Sequence, residues 1–394
     1  MRKQSLDFGL APSAIRALFE YGRRRKAEVG EEKVYDFSIG NPCSPTPTIV
    51  NETLVRLLND PQADNYHKYT SGAGDEKVRA SIAKYLNKTY NADLDGSLIY
   101  LTCGAAAGLT IALNALINKG DEVILFVPYF QEYRVFVEFA GGIVKTVKPN
   151  FQTFEPDLEE FSKAINEKTT MVIINSPNNP SGVIYKEETL IAMASILKEK
   201  EKEFGHPIYL LSDEPYREII HEDTPYPFPL NHYEDSIQAY SFSKCLSIPG
   251  ERIGYLVVNK KLKDAKNAFA AICGAGRALG YVCAPSLFQR MIPECLGVTA
   301  DTSLYRRNRD LLYNGLVKMG YEPVYPQGAF YLLLKSLEED SYAFSEKAKS
   351  LDLLLVPCDP FGLQGYVRIA YCVETRVIEN SLPVFKRLKE LYGD

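Results

Sequence analysis

The sequence predicts an α/β protein with a large domain built on a mostly parallel sheet and a smaller α+β domain. Its 394 residues are too many for one simple core. In the middle of the chain, short β-rich apolar runs alternate with segments of helical spacing, and this pattern changes after about residue 285. We therefore predict a large domain at 46–285, and a small domain formed by 1–45 together with 286–394.

Five strands are predicted in the large domain because each run is rich in β-branched or aromatic residues and is bounded by Gly, Pro, Asn or Asp. They are 98–102, 122–127, 170–175, 207–212 and 237–241. Helical apolar spacing occurs between them, at 105–118 and 186–200. Strands that alternate with helices favour a parallel sheet covered on both faces, and such sheets bind ligands at the carboxyl ends of their strands.

The small domain is predicted from a different order of elements. An amphipathic helix at 305–319 is followed by strands at 330–334, 353–357 and 366–371. Near the N-terminus, a helix at 13–26 precedes a strand at 34–39, and we expect both to pack with the C-terminal elements.

Composition argues against several classes of protein. The net charge of -5 provides no field that would attract nucleic acid or an anionic membrane. No segment approaches the ~20 apolar residues of a membrane span, and no signal peptide is visible, so a cytoplasmic location is expected. The eight cysteines are scattered and the four histidines lack metal-ligand spacing, so we expect neither a disulfide framework nor a metal.

Small residues follow the first predicted strand of the large domain. Gly104, Ala105 and Ala106 open a helix, where free backbone N–H groups and the helix dipole favour a phosphate. The run G-A-A-A-G matches neither G-x-G-x-x-G nor the Walker A pattern, so it is equally compatible with a simple strand-to-helix turn.

Polar and charged residues follow three other predicted strands. Asn179 lies in a Pro- and Gly-containing loop, Asp213 ends a buried run, and Lys244 follows the last strand with Arg252 eight residues later. A buried carboxylate needs a cationic or donating partner, and a buried lysine suits a Schiff base with an aldehyde. These groups fit a phosphate, a protonated ring nitrogen, a phenolic oxygen and an aldehyde, all of which pyridoxal 5′-phosphate carries.

The stretch SFSKCLSIPGERIG at 241–254 resembles the pyridoxal-lysine signature of the class I and II aminotransferases, which are fold-type-I pyridoxal phosphate enzymes. The segments NNPSG and DEPY are similar to two further family signatures. The resemblance extends from Gly40 to the VRIAY segment around Arg368. It implies a mostly parallel seven-stranded sheet in an αβα sandwich.

The resemblance also implies how the cofactor is held. Lys244 would form the Schiff base and move a proton between Cα and C4′, Asp213 would pair with the pyridinium nitrogen, and Asn179 and Tyr216 would hydrogen-bond O3′. The phosphate would be held by Ser241, Ser243, Arg252 and the backbone of Gly104, Ala105 and Ala106.

Two tyrosines have implied roles of their own. Tyr129 lies where the family places an aromatic ring on the pyridine, although a core tyrosine would look the same. Tyr69 matches a tyrosine that family members lend to the phosphate of the partner subunit, so the resemblance implies a homodimer.

For the substrate, Arg368 resembles the family arginine that binds the α-carboxylate through a planar two-point contact. Gly40, Asn41 and Asn179 would approach the same carboxylate. The chain departs from the family pattern at 105–107, where three alanines replace the usual hydroxyl residue, and at Glu251, whose role is unassigned.

The implied activity is transfer of an amino group between an L-amino acid and a 2-oxo acid by a ping-pong cycle. An aspartate-like, an aromatic and a neutral substrate all remain open. The same scaffold supports carbon–sulfur β-elimination. A ligand-sensing regulator is disfavoured because about thirty residues precede the first predicted strand, too few for a winged helix.

Overall fold

The computed structural model of the protein describes residues 1–11, 13–221, 223 and 226–393. In chain order the strands are β1 (Tyr35–Asp36), β2 (Ile99–Thr102), β3 (Glu122–Phe126), β4 (Ile143–Val147), β5 (Thr169–Asn175), β6 (Tyr209–Asp213), β7 (Ser236–Ser241), β8 (Gly254–Val258), β9 (Tyr331–Lys335), β10 (Leu353–Leu354), β11 (Val356–Pro357) and β12 (Tyr366–Ala370).

The α-helices follow the same numbering along the chain. They are α1 (Lys3–Leu10), α2 (Ala14–Val29), α3 (Thr48–Leu58), α4 (Ala63–Tyr66), α5 (Glu76–Tyr90), α6 (Ala105–Leu116), α7 (Glu132–Phe139), α8 (Leu158–Ala164), α9 (Glu187–Phe204), α10 (Phe242–Cys245), α11 (Ala265–Ala278), α12 (Ser286–Cys295), α13 (Ser303–Lys318), α14 (Ser341–Ser350) and α15 (Thr375–Glu390). Among the described residues, none of these helices is both long enough and apolar enough to cross a bilayer.

A seven-stranded sheet forms the centre of the large domain, in the order β2-β8-β7-β6-β5-β3-β4. Strand β8 is antiparallel to both of its neighbours, and the other pairs are parallel. The five strands predicted for this domain are present within two residues of their predicted ends. The predicted mostly parallel sheet is therefore confirmed. It also contains β4 and β8, two strands that were not predicted individually.

Helices cover both faces of this sheet, as the alternation of side chains along β3 shows. Val123 and Leu125 pack in the same cluster as residues of α6, α7 and α11, whereas Ile124 and Phe126 pack with α8 and α9. Because successive side chains of a strand point to opposite faces, a strand buried on both sides must be apolar throughout. The α/β sandwich predicted from the sequence is confirmed.

The small domain contains an antiparallel sheet, β11-β12-β9, and a parallel pair in which β1 joins β10. Tyr35 pairs with Leu353, which confirms that the N-terminal segment packs with the C-terminal elements. Helix α12 contributes Met291, Ile292 and Cys295 to the cluster that contains residues of α3 and α5. The predicted domain boundaries themselves stay a prediction.

Candidate active site

A cavity of about 550 Å³ lies where the carboxyl ends of the parallel strands face the small domain. The large domain contributes the residues that follow β2, β3, β5, β6 and β7, and the small domain contributes residues of α2, β9, β12 and the segment after β1. Its volume is within the range of small-molecule sites. No group of three or more metal-ligating side chains occurs in the described parts of the chain.

Lys244 lies in α10, directly after β7, and its side chain lines the cavity. Its Nζ donates a 2.8 Å hydrogen bond to the carbonyl oxygen of Gly40. Burial lowers the pKa of Lys244 to about 8; the neighbouring Cys372 opposes this, and the positive charges of Arg252 and Arg368 lower the pKa further. A lysine with a lowered pKa has a larger fraction of the neutral amine, which is the nucleophilic form.

Asp213 ends β6 and lines the same cavity. Its Oδ2 accepts a 2.5 Å hydrogen bond from the hydroxyl of Tyr133, and its buried Oδ1 has no partner in the part of the chain that the structure describes. Burial raises the pKa of Asp213 to about 7, the Tyr133 hydrogen bond lowers it, and the charge of Glu214 raises it. The site therefore has an unmet requirement for a hydrogen-bond donor at Asp213 Oδ1.

The N-terminus of α6 opens toward the cavity. Gly104 precedes the helix with φ +83°, and no side chain of the described residues caps its first N–H groups. This φ favours glycine, and a Cβ here would also lie 2.7 Å from Nη2 of Arg252 and force the guanidinium to shift. Because Ala105 and Ala106 line the cavity, their backbone is available to an anion.

Arg252 completes this corner of the cavity together with two hydroxyl groups. Its Nη1 donates to Pro249 O at 2.9 Å and to Ser243 Oγ at 3.4 Å, and its Nη2 donates to Cys103 O at 3.3 Å. Ser241 Oγ donates to Ser243 Oγ at 2.7 Å. The predicted phosphate-binding residues thus meet in one place, although their role stays a prediction.

Tyr216 lines the opposite part of the cavity and contacts Tyr331 of β9. Their hydroxyl oxygens lie 2.9 Å apart, and both side chains are buried. Burial raises the pKa of Tyr331 to about 12, so both phenols are protonated at neutral pH. A Cβ at Gly40 would overlap the Tyr331 hydroxyl, so this glycine leaves room for the Tyr331 side chain in the cavity wall. Sequence reasoning missed Tyr331, because nothing in FYLLL distinguishes it from a core tyrosine.

Arg368 lies in β12 and is 2% exposed. Its Nη1 donates to Asn179 Oδ1 at 3.2 Å and its Nη2 to Ser38 O at 2.5 Å. Within the described chain its buried Nε has no partner. The guanidinium also lies over the rings of Tyr331 and Phe361, with its Cζ 4.8 and 5.3 Å from the ring centroids. These contacts fix the plane of the guanidinium and leave donors for a carboxylate.

The structure does not bring Tyr129 to the cavity wall, and its role on the pyridine ring stays a prediction. Phe130 lines the cavity, whereas the buried Tyr129 packs against Gly362 and accepts a 3.3 Å hydrogen bond from Arg134. Successive residues of the turn after β3 face opposite ways, so the aromatic ring at the cavity belongs to the next residue. Tyr133, which was also missed, lies in the first turn of α7 and contacts Phe130, with the two ring centroids 5.6 Å apart.

Like Tyr129 and Gly104, three further residues singled out from the sequence are not part of the cavity wall. Asn41 is exposed, so the structure does not bring it to the cavity as predicted. Tyr69 is 96% exposed and does not reach the cavity of its own chain. Glu251 ends a short 3-10 helix, and its side chain is exposed. This position indicates no role for it.

Comparison with known proteins identifies the family. The sequence matches the profile of aminotransferase class I and II over residues 32–383. It is 31% identical to a probable aspartate aminotransferase of Methanocaldococcus jannaschii, over 97% of this chain and 98% of that protein. The crystal structure of an aminotransferase from Eubacterium rectale is similar, with a TM-score of 0.98 and 48% identity over 100% of this chain and 99% of that one.

The aspartate aminotransferase of Thermus thermophilus with maleate also superimposes on this chain. Its TM-score is 0.87 and its identity 27%, over 98% of this chain and 99% of that one. These matches show a transaminase, an enzyme that acts on amino acids and 2-oxo acids. The chain belongs to the class I and II aminotransferase family.

Proposed function

We propose that this aminotransferase uses pyridoxal 5′-phosphate, bound covalently through Lys244, and takes an aspartate-like amino acid. The observation that carries the proposal is the pair formed by Asp213 and Lys244 in one cavity. Asp213 presents a buried oxygen that has no donor among the described residues, and Lys244 is an amine whose pKa is lowered to about 8. A cofactor with a protonated ring nitrogen and an aldehyde would satisfy both groups.

The remaining residues fit the same cofactor. The phosphate would lie at the N-terminus of α6 beside Arg252, Ser241 and Ser243. Phe130 would pack on the ring, and Tyr216 with Asn179 would donate to the ring hydroxyl. The alanines at 105–107 supply backbone N–H groups but no hydroxyl.

When bound, pyridoxal phosphate supplies an aldehyde that condenses with amines and an electron-poor ring that stabilises negative charge at Cα. Asp213 keeps the ring nitrogen protonated. Arg368 holds the substrate α-carboxylate and orients the Cα–H bond. The freed amine of Lys244 would remove the Cα proton as a general base and deliver it to C4′ as a general acid; a pKa near 8 suits both roles near neutral pH.

We further propose a ping-pong order and a homodimer. Both substrates would share the cavity that contains Lys244, and this supports the order, because the first oxo acid must leave before the second can bind. The exposure of Tyr69 supports the homodimer, because a tyrosine that is 96% exposed is available to the partner subunit. The names of the relatives, among them the aspartate/prephenate aminotransferase of Thermus thermophilus, support an aspartate-like substrate.

The experiment combines amine transfer with location of the covalent lysine. Protein with cofactor is reduced with borohydride and the modified peptide is found by mass spectrometry, while transfer from L-aspartate to 2-oxoglutarate is measured. We expect the adduct on Lys244 and almost no turnover by Lys244→Ala, whereas Lys266→Ala, on the exposed face of α11, keeps both properties.

An adduct on another lysine, or a normal rate for Lys244→Ala, contradicts the proposal. Release of pyruvate and ammonia from cystathionine without amine transfer would favour the carbon–sulfur β-lyase instead.

A further inference from the structure

One face of helix α2 forms the wall of the cavity opposite the sheet. Four residues of this face line the cavity: Ile15, Arg16, Phe19 and Glu20. The helix is held by its other side, where Leu18 and Gly22 are buried. A Cβ at Gly22 would lie 2.8 Å from the side chains of Asp36 and Leu354, so the helix packs closely on the small domain. Its packing therefore turns a fixed set of side chains toward the cavity.

Arg16 differs from Glu20 and Glu132 at this rim because its side chain has no partner among the residues that the structure describes. Glu20 accepts a 2.9 Å hydrogen bond from Arg23, and Glu132 accepts one of 3.3 Å from the amide of Gln131. The side chain of Arg16 makes neither an ion pair nor a hydrogen bond with any residue of the described chain; its backbone N–H alone is bonded, to the cap of the helix. The rim thus offers a ligand one uncommitted positive charge.

The other cations of the cavity already have tasks in the proposed function. Arg252 lies at the phosphate corner, Lys244 at the reacting atoms, and Arg368 at the α-carboxylate. A substrate held at Lys244 and Arg368 has its side chain left to place, and α2 offers two apolar walls, Ile15 and Phe19, beside the guanidinium of Arg16. An apolar stem that ends in a carboxylate matches this arrangement.

We infer that Arg16 determines substrate specificity by binding the side-chain carboxylate of a dicarboxylic amino acid and of the matching 2-oxo acid. The inference rests on the proposed function, because it uses the position of the α-carboxylate at Arg368. The planar guanidinium fits a carboxylate through two hydrogen bonds, and methylene groups of the substrate pack on Ile15 and Phe19. Because Arg16 is exposed, solvent screens its charge, and the expected preference is about tenfold.

The test measures binding without turnover. Succinate and butyrate have chains of four carbons, and only succinate carries the second carboxylate. Calorimetric titration of the cofactor-loaded protein should give succinate a Kd about tenfold lower than butyrate. Arg16→Gln should abolish this preference and leave the butyrate Kd unchanged, while Arg16→Lys keeps part of it. Arg24→Gln is the matched control, because Arg24 is an exposed arginine of the same helix outside the cavity.

A succinate preference that survives Arg16→Gln overturns the inference, as does an equal loss of succinate and butyrate binding. Failure of this inference can be distinguished from failure of the proposed function. Amine transfer from L-aspartate without an Arg16-dependent succinate preference retains the proposed function and overturns the inference. The Arg16-dependent preference without any amine transfer supports the carboxylate site and contradicts the aminotransferase mechanism through Lys244.

Discussion

Replacement of Asp213 by Asn should stabilise the cofactor-free protein at alkaline pH while it removes the cofactor's ring partner. The two side chains have nearly the same shape, so Tyr133 can still donate to the amide oxygen. Asn carries no charge, however, and therefore avoids the free-energy cost of a buried carboxylate whose Oδ1 has no donor in the described chain.

The magnitude follows from the pKa of Asp213, which burial raises from 3.8 to about 7. Between these values the folded state binds more protons than the unfolded chain, so the free energy of unfolding falls as pH rises through this window. At about 1.36 kcal/mol per pKa unit, Asp213 lowers the free energy of unfolding by about 2 kcal/mol at pH 5 and by about 4 kcal/mol at pH 8. The stability difference between Asp213→Asn and the natural chain should thus grow by about 2 to 3 kcal/mol between pH 5 and pH 8.

The assay is urea unfolding of the cofactor-free protein at several pH values from 5 to 8. Saturating pyridoxal phosphate provides the second condition: a ring N–H at Oδ1 stabilises the carboxylate, so the natural chain should lose most of this pH dependence when the cofactor is bound. Asp213→Asn should bind the cofactor weakly and gain little stability from it.

A matched variant, Tyr133→Phe, should act in the opposite direction. Loss of the donor to Oδ2 destabilises the ionised carboxylate, so the free energy of unfolding should fall by about 1 to 3 kcal/mol at pH 8 and much less at pH 5. The reasoning is refuted if the difference between Asp213→Asn and the natural chain does not change with pH, or if Tyr133→Phe loses equal stability at both pH values.

Three further substitutions test other contacts. Arg368→Lys should lower kcat/KM for amino acids about a hundredfold by loss of the planar contact, with the cofactor absorbance unchanged; an unchanged kcat/KM places the α-carboxylate elsewhere. Gly40→Ala should displace the Tyr331 hydroxyl and cost about 1 to 3 kcal/mol in unfolding experiments, whereas wild-type stability would show that the Tyr331 ring can move aside at this point. Phe130→Leu should weaken cofactor binding about threefold to tenfold in absorbance titrations while Tyr129→Phe leaves it unchanged, and the reverse result restores the original assignment.

The sequence predicted best those parts of the fold and site that depend on local pattern. Asp213 and Lys244 could be placed because a charged residue directly after a buried apolar strand is costly unless it is used. Strand β4 was missed because it lies at the edge of the sheet, where Ile143 is 48% exposed and Lys145 interrupts the apolar run. Phe130 and Tyr129 are neighbouring aromatics in an irregular turn, where no periodicity indicates which of them faces the cavity.

Residues from the small domain were harder to predict, because tertiary packing alone brings them to the cavity. Tyr331 looks like any other residue of an apolar strand, and Arg16 looks like one more charge on an amphipathic helix. Arg368 was the exception, since an arginine in an otherwise apolar strand has no structural explanation by itself. A functional residue is therefore easier to predict from sequence when its burial would be unfavourable than when only tertiary packing brings it to the site.

Buried polar groups without hydrogen-bond partners explain why a ligand in the cavity should stabilise the folded protein. Asp213 Oδ1 and Arg368 Nε are buried without partners in the described chain, and Lys244 is held with a lowered pKa. These groups belong to β6, β12 and α10, so no small movement of one element relieves all three. The proposed cofactor and substrate would relieve them together, and a ligand that binds only the folded chain shifts the unfolding equilibrium by mass action. The unfavourable burial of these three groups therefore both makes the site predictable from the sequence and couples ligand binding to folding.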